Sequence, residues 1–495
     1  MWPRVWSAEL HHIHFRIGEN PKAMSKFLTT LKQVTERYAP GERLTAVCLT
    51  VILLLSLVAK LMLIHGGGVQ DRSILKMEYG FGPVITSLYE RGSLEACGVP
   101  VALEFCGVAA RMPLMPWLYA SAAKIIGLQQ THLAIAKSLV ATVLLWLSLL
   151  YLCRGLTKFP VRRLYLVLIS ALLLLGPQYL KHTISVQYEE SLLIDLLPIY
   201  FCLLGGVILR YRTDSLTARD YWILACLSLM GSSLYFLKSS LLFFGLIAIF
   251  APLFLVRTPY WAKAIAILPF VLGLFWWGHV NYAYHGQIRL GSSYNGENLY
   301  RGQNDYSYKI YPEIHLDRLI DSDVAILNSG ERVPLPDWSH HFPPFQGEWE
   351  WYDYFKRLGQ QWGRDNPGKA LAFTLRKAYV LFLEPRKVPF RQMALPEMEP
   401  KEYSKGTLMA GLVWIILLRA LFFTGIVQAA RSLFKYRTMD NPSLWYFLFV
   451  GAYAAPYLIG FAYQRHITPM LMFTTVILLW LTINPAIPGK IQSRV

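Results

Sequence analysis

The sequence predicts an all-α polytopic membrane protein of about ten transmembrane helices, with interfacial helices in its first outer loop and a mixed, mostly helical outer domain. Three observations predict it. Of 495 residues, 54% are hydrophobic, 14% aromatic and only 16% charged, where soluble chains carry about 25% charge; mean hydropathy is +0.35. Apolar runs recur along most of the chain, near the ~20 residues a helix needs to cross a hydrocarbon core. Basic residues cluster in the short segments between those runs, the pattern of cytoplasmic loops. Together these exclude a secreted disulfide scaffold, a disordered tail protein and a cytosolic enzyme. They also set nucleic acid aside as the reason for the net charge of +17, because a phosphate-tracking surface needs its cations contiguous on one face.

Taken in order, residues 1–43 carry Arg4, Arg16, Lys22, Lys26, Lys32, Arg37 and Arg43 and are expected to stay in the cytoplasm. They have no signal-peptide pattern, since the charged stretch is too long and a full-length span follows it. Spans are read at 44–65, 133–153, 162–177, 187–210, 220–237, 239–256, 259–279, 407–430, 443–462 and 467–484, the third, sixth and last being short. The stretch 113–128 opens Pro113-Leu114-Met115-Pro116 and carries Lys124, and reads as an interfacial helix. Counting it as an eleventh span would turn most basic loops outward. With ten, the loops holding Arg154/Lys158/Arg162/Arg163, Arg210/Arg212/Arg219, Arg257/Lys263 and Arg431/Lys435/Arg437 all face the cytoplasm.

The expected organisation is therefore a cytoplasmic segment 1–43, a transmembrane region 44–279 with a first outer loop 66–132, an outer or periplasmic domain 280–406, C-terminal helices 407–484 and a cytoplasmic tail 485–495. This places the protein in the inner, cytoplasmic membrane with both termini inside. In the outer domain Trp338, Trp349, Trp351, Tyr352, Tyr354 and Phe355 supply apolar mass. One helix ends near Asn366-Pro367 and another runs from Lys369 to Glu384 before Pro385. Cys97 and Cys106 share the first outer loop, the oxidising location, and are the disulfide candidate; two buried thiols are the alternative. Cys48, Cys153, Cys202 and Cys226 fall in or beside spans, where a thiol behaves as a small apolar group.

Chemistry concentrates in the first outer loop. It opens Gly66-Gly67-Gly68, a hinge lacking the Lys-Ser/Thr of a phosphate-binding loop, and continues with Asp71, Arg72, Lys76, Glu78 and Tyr79. A carboxylate beside cations just beyond a membrane surface is a general-base candidate, and a solvated loop acid is its plain alternative. The cations expected at the outer membrane face are Arg111, Lys181, Lys238, Arg289, Arg301 and Arg465. Lys238 lies between two apolar spans, where a charge is either functional or snorkelling to the interface. Arg111, Arg465 and His466 are either ligand-binding or ordinary headgroup anchors. No metal site is expected: His11, His12 and His14 are cytoplasmic, and His340-His341 lacks a third ligand at usable spacing.

These motifs resemble those of GT-C glycosyltransferases, especially bacterial relatives of protein O-mannosyltransferases and the lipid A aminoarabinose transferase. Glu78 stands at about that family's spacing ahead of Ser87-Leu88, and Arg111-Met112-Pro113-Leu114-Met115-Pro116 is similar to its Arg-x-Pro-x-x-Pro element. Gln187-Tyr188-Glu189-Glu190 resembles the second outer loop, where an acid opens the fourth span. Asn281-Tyr282, Gly286 and Gly296-Glu297-Asn298-Leu299-Tyr300-Arg301-Gly302-Gln303-Asn304 resemble the start of the large outer domain. Asn366-Pro367 followed by a helix with Lys377 is similar to a later segment, and Gln464-Arg465-His466-Ile467-Thr468-Pro469 to the Arg-Tyr-x-x-Pro before the last span. Two departures stand out: Asp71 and Glu78 are apart where the family shows adjacent Asp-Glu, and His279-Val280 precede Asn281 where Arg is usual. The base is thus open between Glu78 and Asp71.

The resemblance implies an inverting glycosyltransferase that moves a monosaccharide from a polyprenyl-phosphate carrier to an acceptor hydroxyl on the outer face. It implies no cofactor and no metal, with Arg111, Lys181, Lys238, Arg289, Arg301, Arg465 and His466 toward the donor phosphate. Tyr79, Tyr188, Glu189, Glu190, Asn281, Asn298 and Tyr300 are implied in the substrate cleft. Expected partners are the polyprenyl-phosphate sugar, a cell-envelope glycan, lipid or protein acceptor, and membrane lipids. The rivals are a polysaccharide polymerase or ligase, and a lipid or sugar transporter using Lys60, Lys137, Asp195, Lys238 and Arg419 as an intramembrane path. Against transport, the chain has no repeated halves.

Overall fold

Helix α1 (Glu42–Leu63) runs without a Gly or Pro. Its buried side is Thr45, Leu49, Ile52, Leu53, Ser56 and Lys60, the three-to-four-residue repeat of one helix face. Its exposed side is Leu44, Val47, Val51, Leu54, Leu55, Val58 and Met62. The face turned away from the protein is thus more apolar than the face turned in, which a membrane stabilises and water does not.

The computed structural model describes residues 41–69, 71–77, 80–97, 106–156, 160–213, 217–256, 258–313, 324–326, 329–334, 345–383, 405–435, 439, 441–460 and 462–481. Residues 1–40 with His11, His12 and His14, the pair Glu78-Tyr79, Lys158, Arg257, Trp338, His340, His341, Arg437 and the tail 485–495 lie outside them, as do the side chains of Arg212 and Arg465.

After α1 come α2 (Phe81–Arg91), a β1–β2 hairpin (Ala96–Cys97 with Cys106–Gly107) and α3 (Leu114–Ile126). Cys97 and Cys106 face each other across the hairpin and are disulfide-bonded. Next are α4 (Gln130–Gly155), α5 (Pro160–Leu174), α6 (Pro177–Ile184), α7 (Glu190–Thr213), α8 (Ala218–Leu237), α9 (Leu242–Leu255) and α10 (Tyr260–His285). Short α11 (Tyr294–Arg301) and α12 (Asp305–Ile310), an antiparallel β3–β4 pair (Val324–Ile326 with Arg332–Pro334), α13 (Glu348–Asp365) and α14 (Pro367–Phe382) follow. The last helices are α15 (Lys405–Lys435), α16 (Pro442–Ile459) and α17 (Gln464–Leu481).

This is a polytopic helical architecture. Among the described residues, seven helical segments have the length and composition to cross a membrane: Glu42–Gly68, Gln130–Gly155, Glu190–Tyr211, Ala218–Leu237, Tyr260–His285, Leu412–Lys435 and Pro442–Ile459. The pair Val161–Leu174 and Pro177–Ile184, bent by 59°, makes up to eight. Ser239–Leu255 and His466–Ile477 are apolar but shorter. Two of the boundaries that differ from the sequence reading matter most. The third segment stops at Leu174, because Gly176-Pro177 breaks the helix and proline cannot extend a preceding turn. Helix α10 continues six residues past 279 to His285 and ends on left-handed Gly286, so Asn281-Tyr282 belongs to the helix, not to the domain after it. Residues 294–301 form the short helix α11. Helix α3 is a 13-residue element with Met115, Tyr119, Ala120 and Ala123 buried and Trp117, Leu118 and Ile125 exposed, an amphipathic arrangement suited to an interface.

Helix α7 is the centre of the bundle, packed on α4, α8 and α17. Its Phe201 ring meets Phe449 of α16 (4.8 Å) and Phe473 of α17 (5.0 Å), and Phe244 of α9 joins both (5.3 and 5.5 Å). Packing of this kind, rather than exclusion of water, holds helices together in lipid.

At one end of the bundle α14 docks through a lysine. The buried Lys377 donates to the carbonyls of Gly302 (2.6 Å) and Ile459 (3.1 Å), joining the α11–α12 turn to the C-terminus of α16. A Cβ at Gly302 would stand 2.0 Å from the Gly460 carbonyl oxygen, so only glycine permits this approach. Burial pushes the Lys377 ammonium down to about 7, against about 10.4 in an unfolded chain. Between those values the unfolded chain holds the extra proton, so stability rises with pH through the window and is lost as pH falls toward 7. The wild-type chain should therefore gain melting temperature from pH 7 to pH 9 relative to Lys377→Met, followed by thermal unfolding in detergent. A difference that does not change with pH would mean that the carbonyls of Gly302, Leu458 and Ile459 keep the ammonium charged.

Candidate functional site

Five sequence-predicted residues meet at the same end of the bundle, delivered by four different turns or helix ends, Glu189 and Glu190 sharing the start of α7. Lys238 ends α8 in an extended conformation (φ −150°, ψ 110°) before a short 3₁₀ turn, Ser239–Leu241, leads into α9. Its ammonium is paired with Glu190, the first residue of α7, where the helix N-terminus also favours a carboxylate. His466, in the first turn of α17, brings Nε2 to 3.3 Å from the same Glu190 oxygen. The Tyr463 backbone N–H donates to His466 Nδ1 (3.1 Å), which leaves the ring's own hydrogen on Nε2, facing the carboxylate. The Tyr457 ring stacks on His466 (4.2 Å between centroids) and lies 5.3 Å from the Lys238 ammonium.

The neighbouring acid makes the second half of the site. Glu189 Oε1 is 3.7 Å from Arg111 Nη1, and the Arg111 guanidinium lies between the rings of Phe81 (4.6 Å) and Tyr294 (4.2 Å), a favourable cation–π geometry. Tyr188, one residue earlier, places its hydroxyl 2.9 Å from His182 Nδ1. Exposure is graded across the cluster. The Lys238, Arg111 and Glu189 side chains are 21%, 15% and 11% exposed, against 1% for Glu190 and 2% for His466. From solvent the cluster presents two cations and Glu189, with Glu190 and the imidazole behind them.

The other predicted residues are engaged elsewhere. Asp71 is exposed and accepts a hydrogen bond from Thr131 (3.1 Å) at the start of α4. Arg289 holds Asp353 of α13 (2.6 Å) and lies over Trp349. Arg301 pairs with Glu297 one turn back on α11. Asn281 is buried between the Trp277 carbonyl (3.0 Å) and the Trp349 indole N–H (3.2 Å), tying α10 to α13. Tyr300 packs on Phe355, and Asn298 is half-buried on α11. Lys181 is half-buried on α6. Glu78 and Tyr79 are outside the described residues; the flanking Phe81 is the ring on Arg111.

Sequence reasoning missed Tyr294, Tyr457 and Glu348. Two are aromatics in aromatic-rich segments and nothing local marks them. Glu348 stands in Glu348-Trp349-Glu350-Trp351, which reads as an amphipathic helix start.

A second polar group lies deeper, between α1, α4, α6 and α7. Lys60 donates to the Tyr179 hydroxyl (3.0 Å), and Lys137 donates to the Ser185 carbonyl (2.7 Å) and stands 3.8 Å from Asp195 Oδ2. Thr183 donates to Asp195 Oδ1 (2.5 Å). Arg419, the remaining charge read as intramembrane, sits on α15. Among the described residues no three His, Cys, Asp or Glu side chains are placed to share a metal ion.

No family model, curated protein or solved structure matches the chain.

Proposed function

We propose that the chain is an integral-membrane inverting glycosyltransferase that moves a monosaccharide from a polyprenyl-phosphate carrier to an acceptor hydroxyl at the outer face of the inner membrane. In this reading all ten apolar segments cross the bilayer, both termini are cytoplasmic, and 66–132 and 280–406 lie outside. The observation that carries it is the pair of cations at one bundle end, Lys238 and Arg111 outward with Glu189 beside Arg111 and Glu190 and His466 behind.

The chemistry suits that pair. The acceptor oxygen attacks the anomeric carbon as the bond from that carbon to the phosphate oxygen breaks. The hydroxyl proton passes to a carboxylate and the electron pair leaves on the polyprenyl phosphate. Charge grows on the departing phosphate, where prepositioned cations stabilise it most. Lys238 and Arg111 are assigned that role. The flat Arg111 guanidinium, held between two rings, suits bidentate contact with phosphate oxygens. The base is assigned to Glu78, on its spacing ahead of Ser87-Leu88, while exposed Asp71 is occupied by Thr131. Glu78→Gln should abolish transfer at normal abundance and melting temperature. Transfer at the wild-type rate would move the base to Asp71 or away from this loop.

The deciding experiment reconstitutes the purified protein in lipid with a polyprenyl-phosphate sugar and cell-envelope acceptors. Release of free polyprenyl phosphate coupled to sugar transfer is expected. Binding of no donor in a broad panel would overturn the reading in favour of transport, which the buried Lys60, Lys137 and Asp195 favour independently.

A further inference from the structure

Glu348 is the first residue of α13 and is fully buried. Its contacts run to two distant segments. Oε1 accepts from the backbone N–H groups of Val108 and Ala109 (2.9 Å each) and lies 2.7 Å from His285 Nε2; Oε2 accepts from the Ser293 hydroxyl (3.0 Å). The Ser293 N–H closes the set on the Ala109 carbonyl (2.8 Å). A Cβ at Gly107 would stand 2.5 Å from the Glu348 carboxyl carbon, so the loop reaches the carboxylate only because that position has no side chain.

The geometry points to Glu348 as the positioning residue of Arg111. One oxygen fixes the backbone two and three residues before Arg111. The other fixes the residue before Tyr294, whose ring lies 4.2 Å from the Arg111 guanidinium. A single carboxylate therefore sets both the chain that carries the cation and one wall of its cage. Charge-assisted bonds to backbone N–H groups are short and directional, and in a buried site they hold geometry that neutral contacts would not. The inference rests on the reading that Arg111 meets a phosphate, but its structural half stands apart from that reading.

Glu348→Gln keeps an oxygen toward Val108 and Ala109 and an amide that can donate to Ser293 Oγ, whereas Glu348→Ala keeps neither. Binding of polyprenyl monophosphate is measured in lipid nanodiscs, together with amide hydrogen exchange over 106–112 and 291–296. Glu348→Ala should weaken binding about tenfold, the scale of a lost buried polar network, and speed exchange at Val108 and Ala109. Glu348→Gln should retain most of the binding and protection. Arg111→Ala should add little in the Glu348→Ala background, since the two losses act through one contact.

Three results would overturn the inference: unchanged exchange at Val108 and Ala109, binding by Glu348→Ala within about twofold of wild type, or losses that multiply. If Glu348→Ala does not fold, Ser293→Ala removes the hydroxyl contact to Oε2 while the Ser293 N–H stays on the Ala109 carbonyl; faster exchange over 291–296 with weaker binding supports the inference, and no change in either sinks it. If the wild-type chain binds no phosphate probe, the transferase reading fails, and the exchange data alone decide whether Glu348 places the Arg111 loop.

Discussion

Replacing Lys238 with methionine should lower carrier release about 10²–10³-fold, the cost of removing one prepositioned charge-stabilising group. The single variant is not clean, because Glu190 is 1% exposed and would lose its ammonium partner, with the His466 Nε2–H left as a neutral donor. A carboxylate stranded that way destabilises the fold, and lost activity would then follow from lost structure. The double variant Lys238→Met/Glu190→Gln separates the two effects. Both charges are gone, the shape is nearly kept, and melting temperature should return close to wild type while release stays at the level of the single variant. Release restored along with stability would make the pair a strut between α7 and the α8–α9 turn, and the phosphate would have to be met by Arg111 alone.

The sequence carried the bundle because the physics that builds it is one-dimensional. A helix in lipid satisfies its backbone locally, so each apolar run declares itself without knowledge of its neighbours. What defeated it were features set by a second segment. The break at Gly176-Pro177 divides a run that hydropathy alone joins, and the last turns of α10 are tied to α13 through Asn281 with Trp349 and His285 with Glu348. The site divides along the same line. Lys238 was legible because a charge between two apolar runs is conspicuous, and Arg111, Glu189, Glu190 and His466 chiefly because they fall in the motifs that carry the resemblance. Arg289, Arg301 and Asn281 looked equivalent, yet their partners Asp353, Glu297 and Trp349 use them for packing within the 280–365 stretch. Glu348 was illegible because its role is written at Val108, Ala109 and Ser293, far away in the chain.

Asp195→Asn is the substitution expected to harm the fold most. Asp195 is 5% exposed and stands 3.8 Å from Lys137, with Lys60 in the same polar group through Tyr179 and Thr183. Neutralising it leaves two buried ammonium groups without a nearby carboxylate, and breaking a buried ion pair from one side costs about 3–5 kcal/mol. Unfolding in detergent should shift by that order, and Lys137→Met/Asp195→Asn should recover much of it, because Lys137 is then no longer an unpaired charge. Lys60 keeps its Tyr179 hydroxyl in both variants. The recovered double variant also separates the two classes of function. In a transferase the group is a buried brace one to two turns below the Lys238 and Arg111 cations, so a stable double variant should release carrier at close to the wild-type rate. In a transporter the same charges are the path, and a stable protein without them should be inactive. A double variant that folds and transfers nothing would therefore count against the glycosyltransferase even if donor binding survived.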